Sequence, residues 1–337
     1  MSDTRWLSVD EIAARLGVGK ETIYAWIEKR DLPAHKVGRF WKFQREDVDN
    51  WVKSGILLIT KCVKEVFMRD KFSKAEFLIL LKNFVQSLSS YVSTSDGQWT
   101  IKGFIDIYKN IYTISADTKI VSKILELHIF PKLMQFANSN GFEIELASCQ
   151  NYYPDLTFIY KKNPKIIFAV DLKTSYRNPN NPDLCNGFTL GSHGEYFRDR
   201  SSTKNIQYPY ADYSGHFCLG IIYDRVDTDT VLAETEIGQL DNLEQMVSVI
   251  KNFQFFAEEK WKIASDKGGS GNTANIGSIK NINDIIAGKG TFAQYGEKIF
   301  DDYWMNFGQI SITTKGGKTK KLTSLDEYLA YRGMKKI

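Results

Sequence analysis

The chain is poor in the residues that would make it a disulfide-stapled scaffold, a zinc protein or a membrane protein. Its 337 residues include only four cysteines, Cys62, Cys149, Cys185 and Cys218, far apart and without a CxxC pair, so neither a disulfide framework nor a thiolate metal site is expected. With no signal-peptide pattern at its start, a reducing, cytoplasmic setting is the expectation. The four histidines, His35, His128, His193 and His216, have no metal-ligand spacing and are expected to be structural or exposed. The apolar stretches "GILLIT" and "FLILL" are too short to span a bilayer and soon meet lysine, so no membrane role is expected. No internal repeat or low-complexity segment occurs. The glycine-rich "GGSGNTAN", residues 268–275, lacks the Gly-Lys-Ser/Thr ending of a phosphate-binding P-loop.

A large charge excess is missing too. The formal net charge is +4, which neither demands nor excludes a polyanionic partner. Lysines gather in "TTKGGKTKKLTS" and "YRGMKKI", as a basic face or as a solvated tail. What is present is the composition of a folded protein, 43% hydrophobic and 25% charged, long enough for a main domain and a small accessory one.

Residues 1–55 read as the accessory domain. Ser8 and Glu11 have capping-box spacing, Ile12, Ala13 and Leu16 form a helical apolar stripe, and Gly17 stops the helix. A second helix is expected from Lys20 to Lys29 with Ile23, Trp26 and Ile27 inward, ending before Pro33. "AHKVGRFWKFQREDVDNWV" then reads as strand, Gly38-Arg39 turn, strand and third helix. This order resembles the winged helix-turn-helix domains of the excisionase and MerR-like group. The resemblance implies DNA contacts from Lys20, Thr22, Tyr24, Lys36 and Arg39; the pattern alone would also suit a bundle used for protein contacts. Residues 56–72 read as a helical linker, and 73–337 as a mixed helix-and-strand domain of α/β or α+β class.

Two apolar runs in that domain, "DLTFIY" and "KIIFAVDLKTSY", flank a turn-like "KKNPK" and predict adjacent antiparallel strands. Pairing sets Asp155 and Asp171 at one end of the sheet. A period of two puts Lys173 on the face of Asp171. Two close carboxylates repel, and a hard divalent cation such as Mg²⁺ relieves that. With a lysine beside it, such a site suits phosphodiester hydrolysis. Taken alone, D-x-K also fits a surface salt-bridge cluster. "YDRVDTDT" lacks the glycine and terminal glutamate of a calcium loop and reads as a solvated turn.

Pro154-Asp155 with Asp171-x-Lys173 resembles the PD-(D/E)xK nuclease motif. The blocks around it, "SADTKIVSKILEL", "QNYYPDLTFIY", "AVDLKTSY", "FTLG", "STKNIQYPY", "EKWKIASDKGGSGNTANIGSI" and "GKGTF", resemble in order the EcoRV-like type II restriction endonucleases. That resemblance implies a restriction-endonuclease core with a central mixed β-sheet flanked by helices, and Mg²⁺-dependent hydrolysis of double-stranded DNA. It makes Asp155 and Asp171 metal ligands, Lys173 the catalytic lysine and Glu126 an additional acid for catalysis or metal.

It also implies base readers at Ser270, Gly271, Asn272, Thr273 and Asn275, a minor-groove loop at Gln150 and Asn151, and backbone contacts from Thr174, Ser175 and Lys204. The implied site is GATATC, cut at its centre to leave blunt ends with 5′-phosphates, although Ala274 stands where the family's reading loop has threonine. A palindrome implies a homodimer, for which "WTIKGFIDIYKNIY" is the candidate region, and a separate cognate methyltransferase. Two other readings compete: a DNA-binding regulator built on the helix-turn-helix, and a repair or mobile-element nuclease whose site the helix-turn-helix chooses.

Overall fold

The computed structural model describes residues 5–29, 32–38, 40–51, 71–149, 151–226, 238–269, 274–313 and 319–336. They divide into two compact units, Met1–Arg69 and Asp70–Ile337.

The first unit opens with β1 (Leu7–Ser8), α1 (Val9–Leu16) and α2 (Lys20–Lys29), followed by β2 (His35–Val37) and β3 (Phe40–Phe43). The Ser8–Glu11 capping box closes on α1, and Gly17, at φ 68°, ends it; only glycine takes that conformation without strain. The strands form one antiparallel sheet in the order β1-β3-β2, and residues 45–51 are helical. Ile12, Ile23, Phe43 and Val48 have no exposure, and Trp26 and Trp51 pack against them. The two helices, glycine turn and wing read from the sequence are all present. The expected linker falls largely in residues 52–70, outside the described residues.

The second unit begins with α3 (Lys74–Val85), β4 (Gly103–Ile105), β5 (Asn110–Thr113) and the long α4 (Thr118–Ser139), capped by Asp117. Next come β6 (Phe142–Leu146), β7 (Leu156–Tyr160), β8 (Ile167–Asn178), β9 (Asn181–Cys185) and β10 (Thr189–Ser192). The remaining described strands are β11 (Tyr213–Arg225), β12 (Gly238–Gln239), β13 (Ile250–Glu259), β14 (Ala264–Gly268), β15 (Asn275–Ser278), β16 (Ser311–Thr313) and β17 (Thr319–Lys321), with α5 (Lys260–Ile263) between β13 and β14.

The central sheet runs β13-β11-β8-β7-β6, with β9 also paired to β8. Only β8 and β11 run parallel along that path, so the sheet is mixed, as expected. β11 lies inside it and is almost wholly buried. There Gly220 faces Phe256 of β13, whose ring a Cβ would overlap.

One expectation needs correcting. The sequence reading sets Asp171 at one end of the sheet, yet β8 continues seven residues beyond it, to Asn178. β11 carries the ladder on as far as Tyr176, beyond the end of β7. "YDRVDTDT" is likewise not simply a turn, since Tyr223, Asp224 and Arg225 end β11; residues 227–230 lie outside the described residues. No described helix is long and apolar enough to cross a membrane.

Candidate active site

The β7–β8 ladder pairs Leu156 with Val170. One step beyond lie Asp155 and Asp171. The Asp155 carboxylate accepts the Leu172 N–H at 2.7 Å, which ties the entry to β7 directly to β8. Lys173 Nζ stands 2.7 Å from Asp171 and 3.5 Å from Asp155. The three groups that the alternation brought together on paper therefore meet in space.

Their electrostatics follow from crowding. Burial, then the charge of Asp171, pushes the Asp155 carboxyl up to about 7. Burial also works against the Lys173 ammonium, but Asp171 and Asp155 outweigh it and raise its pKa. One lysine thus serves two acids, which leaves net negative charge at a set of hard oxygen donors. A divalent cation fits that donor set.

Asp155 and Lys173 lie in a groove of about 840 Å³. One wall is the first two turns of α4, through Thr118, Lys119, Ser122, Lys123 and Glu126, and the opposite rim is Asn186–Thr189. Glu126 shares the groove, but its carboxylate is paired with Lys123 at 2.8 Å. Among the described residues, no three acids, histidines or cysteines gather into a metal-binding cluster. Glu126 lines the groove from its helix, engaged with a lysine of that helix, and its expected part as an additional acid is taken up below as a proposal.

The other expected contacts are spread more widely. Thr174 and Ser175 both line the groove, Thr174 half-buried and Ser175 only 3% exposed, with its hydroxyl oxygen covered. Lys204 is paired with Glu195 at 2.6 Å and is not among the groove-lining residues. Asn151 is exposed, while Gln150, Ser270, Gly271, Asn272 and Thr273 lie outside the described residues.

The base of the 270–273 segment is described and is built on the sheet β10-β15-β14. Gly269 N–H donates to the Asn275 carbonyl at 2.8 Å, and His193 N–H donates to the Ala274 carbonyl at 2.8 Å. In the first unit, Lys20 is paired with Asp10, Tyr24 is half exposed, Thr22 is half-buried, and Lys36 sits 5.6 Å from the Trp41 ring. Arg39 lies outside the described residues.

Two histidines are structural. His193 and His216 are buried, and His216 Nδ1 meets the Tyr153 hydroxyl at 2.9 Å. The C-terminal basic cluster is partly neutralised by the chain's own acids: Lys320 pairs with Glu327, Lys336 with Asp326 at 2.9 Å and Arg332 with Asp302 at 2.7 Å.

Sequence reasoning missed Lys119, Ser122 and Lys123. Their signal was available, since they share one helical face with Glu126 at spacings of seven, four and three residues. It also missed Lys260, for which a lysine in "EKWK" gives no local hint of burial.

Comparison with known proteins adds three findings. A family model described as restriction endonuclease EcoRV matches residues 95–333, and one described as a helix-turn-helix domain matches residues 6–55. The chain is 35% identical over 241 residues to the type II restriction enzyme EcoRV of Escherichia coli, covering 71% of this chain and 94% of that enzyme.

Proposed function

The chain belongs to the EcoRV restriction endonuclease family, and on that premise we propose that it cuts double-stranded DNA at GATATC, at the centre of the site. It is a type II site-specific deoxyribonuclease that also carries a helix-turn-helix domain. Enzymes of this kind depend on a divalent metal, here proposed to be Mg²⁺ held by Asp155 and Asp171. The observation that carries this reading is the Asp155–Asp171–Lys173 cluster, of which Asp155 and Lys173 line an open groove.

The bound metal would polarise the scissile phosphate and lower the pKa of a bound water. The chain's own residues do the rest. The Leu172 N–H fixes the Asp155 carboxylate. Lys173, held between the two acids, is proposed to steady the negative charge that grows on the phosphate. Glu126 acts from the wall, as an acid beside the path of the DNA. Lys119, Lys123, Thr174 and Lys204 are proposed to meet backbone phosphates, with Ser175 joining them only after a local rearrangement.

Ser270, Gly271, Asn272, Thr273 and Asn275 are proposed to read bases in the major groove, and Gln150 and Asn151 in the minor groove. Support for the major-groove loop is its double anchorage at Gly269 and at Ala274–Asn275. A palindrome calls for a two-fold reader, so the active species is proposed to be a homodimer. Its interface is assigned to the small sheet of β4 and β5, where Phe104, Ile105, Ile107 and Tyr108 are all more than half exposed. Such a concentration of exposed apolar side chains favours a protein partner over water. A separate methyltransferase would protect the same sequence. Residues 1–55 are proposed to add phosphate contacts through Lys20, Thr22, Tyr24, Lys36 and Arg39.

The test is a plasmid digest by the full-length protein with and without Mg²⁺, with the ends sequenced, repeated with a chain lacking residues 1–55. Blunt, Mg²⁺-dependent ends within GATATC in both digests, with weaker DNA binding by the shorter chain, are expected. Cuts elsewhere would refute the proposed site, and a changed site in the shorter chain would assign site choice to the helix-turn-helix.

A further inference from the structure

At the end of β13 and the start of α5, three ionisable side chains in a row point into the protein. Glu258, Glu259 and Lys260 are 2%, 6% and 3% exposed. The two glutamates are paired, Glu258 with Lys82, and Glu259 with Lys74 at 2.9 Å and Lys262 at 2.7 Å. Lys260 differs from both. Among the described residues its Nζ has no hydrogen-bond partner, and it lies 5.0, 5.4 and 5.6 Å from the ring centres of Tyr153, Phe197 and Tyr210. Rings attract a cation, but they do not replace the anion or water that a buried ammonium loses.

The register explains what this lysine is near. On β11, Cys218 is paired with Asp171 on one side and with Glu258 on the other. Lys260 follows Glu258 by two residues. The Cys218 thiol, raised above all by burial, feels the charges of Asp171, Lys173, Asp155 and Lys260 together. Burial pulls the Lys260 ammonium down to about 7. Asp171 is the strongest charge acting the other way; Asp301 helps it, and Arg200 and Lys173 oppose it. Asp171 thus has two lysines in its field, Lys173 in the groove and Lys260 in the interior.

We propose that Lys260 is an internal counter-charge to Asp171 that competes with the divalent metal for this carboxylate and so sets how much metal the enzyme needs. The proposal rests on the reading of Asp155 and Asp171 as the metal-holding pair. In an interior of effective dielectric about 20, a buried unit charge that acts on the same carboxylate as a divalent cation opposes that cation, and its removal is expected to tighten binding by about tenfold.

The experiment is a calorimetric titration of Mn²⁺ into the full-length protein without DNA, at about pH 6, below the value of about 7 to which burial brings Lys260. The unaltered chain is compared with Asp171→Ala and with Lys260→Met, which is neutral and of similar volume. Asp171→Ala is expected to lose binding, and Lys260→Met to bind Mn²⁺ about tenfold more tightly. Loosened packing would weaken binding, so a merely structural role for Lys260 cannot produce that result. Unchanged or weaker affinity in a folded Lys260→Met protein overturns the proposal and leaves the metal pair intact. Should Lys260→Met fail to fold by circular dichroism, Lys260→Gln decides by the same criterion. Mn²⁺ binding indifferent to Asp171→Ala refutes the metal-holding pair, and the role of Lys260 falls with it.

Discussion

The floor and the wall of the groove carry acids of the same kind, yet the protein treats them differently. On the floor, Asp155 lines the groove with Asp171 buried beside it at the end of an antiparallel ladder, the first tied by the Leu172 N–H and both bridged by Lys173. On the wall, Glu126 rides a helix surface and pairs with Lys123 three residues earlier. A ladder fixes side-chain separation to within the spacing of two strands, so it can hold like charges together against their repulsion. A helix surface exerts no such constraint, and its acid takes a cation from its own helix. Repulsion maintained by the fold marks the floor as the place where a cation is wanted.

That contrast can be broken by mutation. Asp171→Ala or Lys173→Ala is expected to lower single-turnover cleavage by about a thousandfold or more, because each removes charge that acts on the reacting phosphate. Circular dichroism should show the fold retained; near-normal cleavage by either variant would end the mechanism. Glu126→Gln, on the wall, is expected to cost at most about tenfold, less than the roughly hundredfold or more that a positioned acid contributes. A loss as deep as that of Asp171→Ala would put Glu126 on a par with the floor.

The smallest effect is one of stability. The Asp155 carboxyl is raised in the folded chain to about 7 from its ordinary value of 3.8, so between those values the folded state binds more protons than the unfolded one. Its contribution to stability is therefore present at low pH and is lost as pH rises through about 7. Without metal, the melting temperature of the unaltered chain should fall from pH 5 to pH 8 more than that of Asp155→Asn. Added Mg²⁺ should restore more at pH 8 than at pH 5, where a proton already occupies the carboxyl. Identical pH profiles for the two proteins would mean that Asp155 is not the strained group.

How much was legible depends on whether the signal is local. The Asp155–Asp171–Lys173 cluster could be read because strand alternation is a rule of neighbours, and two strands joined by a short turn leave few ways to pair. The helix-turn-helix could be read for the same reason, since Ser8, Glu11 and Gly17 announce the ends of α1 within the helix itself. Ser175 escaped because its burial depends on what covers β8, not on the sequence around it. The Lys123–Glu126 pair was visible as helical spacing, but its consequence needed the groove. Lys260 was out of reach: a lysine between a glutamate and a tryptophan reads as surface, and only Tyr153, Phe197 and Tyr210, distant in sequence, enclose it.

By itself the sequence determined the element types, the pairing of β7 with β8, the convergence of two aspartates with a lysine, and the family to which those blocks belong. These follow from periodicity, turn chemistry and residue order, which act over a few neighbours. Only the tertiary structure decided that Glu126 stays on the wall, that Ser175 is covered, and that Lys260 lies inside the protein within the field of Asp171. Burial and long-range charge depend on which distant segments are packed together, and that is settled when the sheet and its helices close around one core.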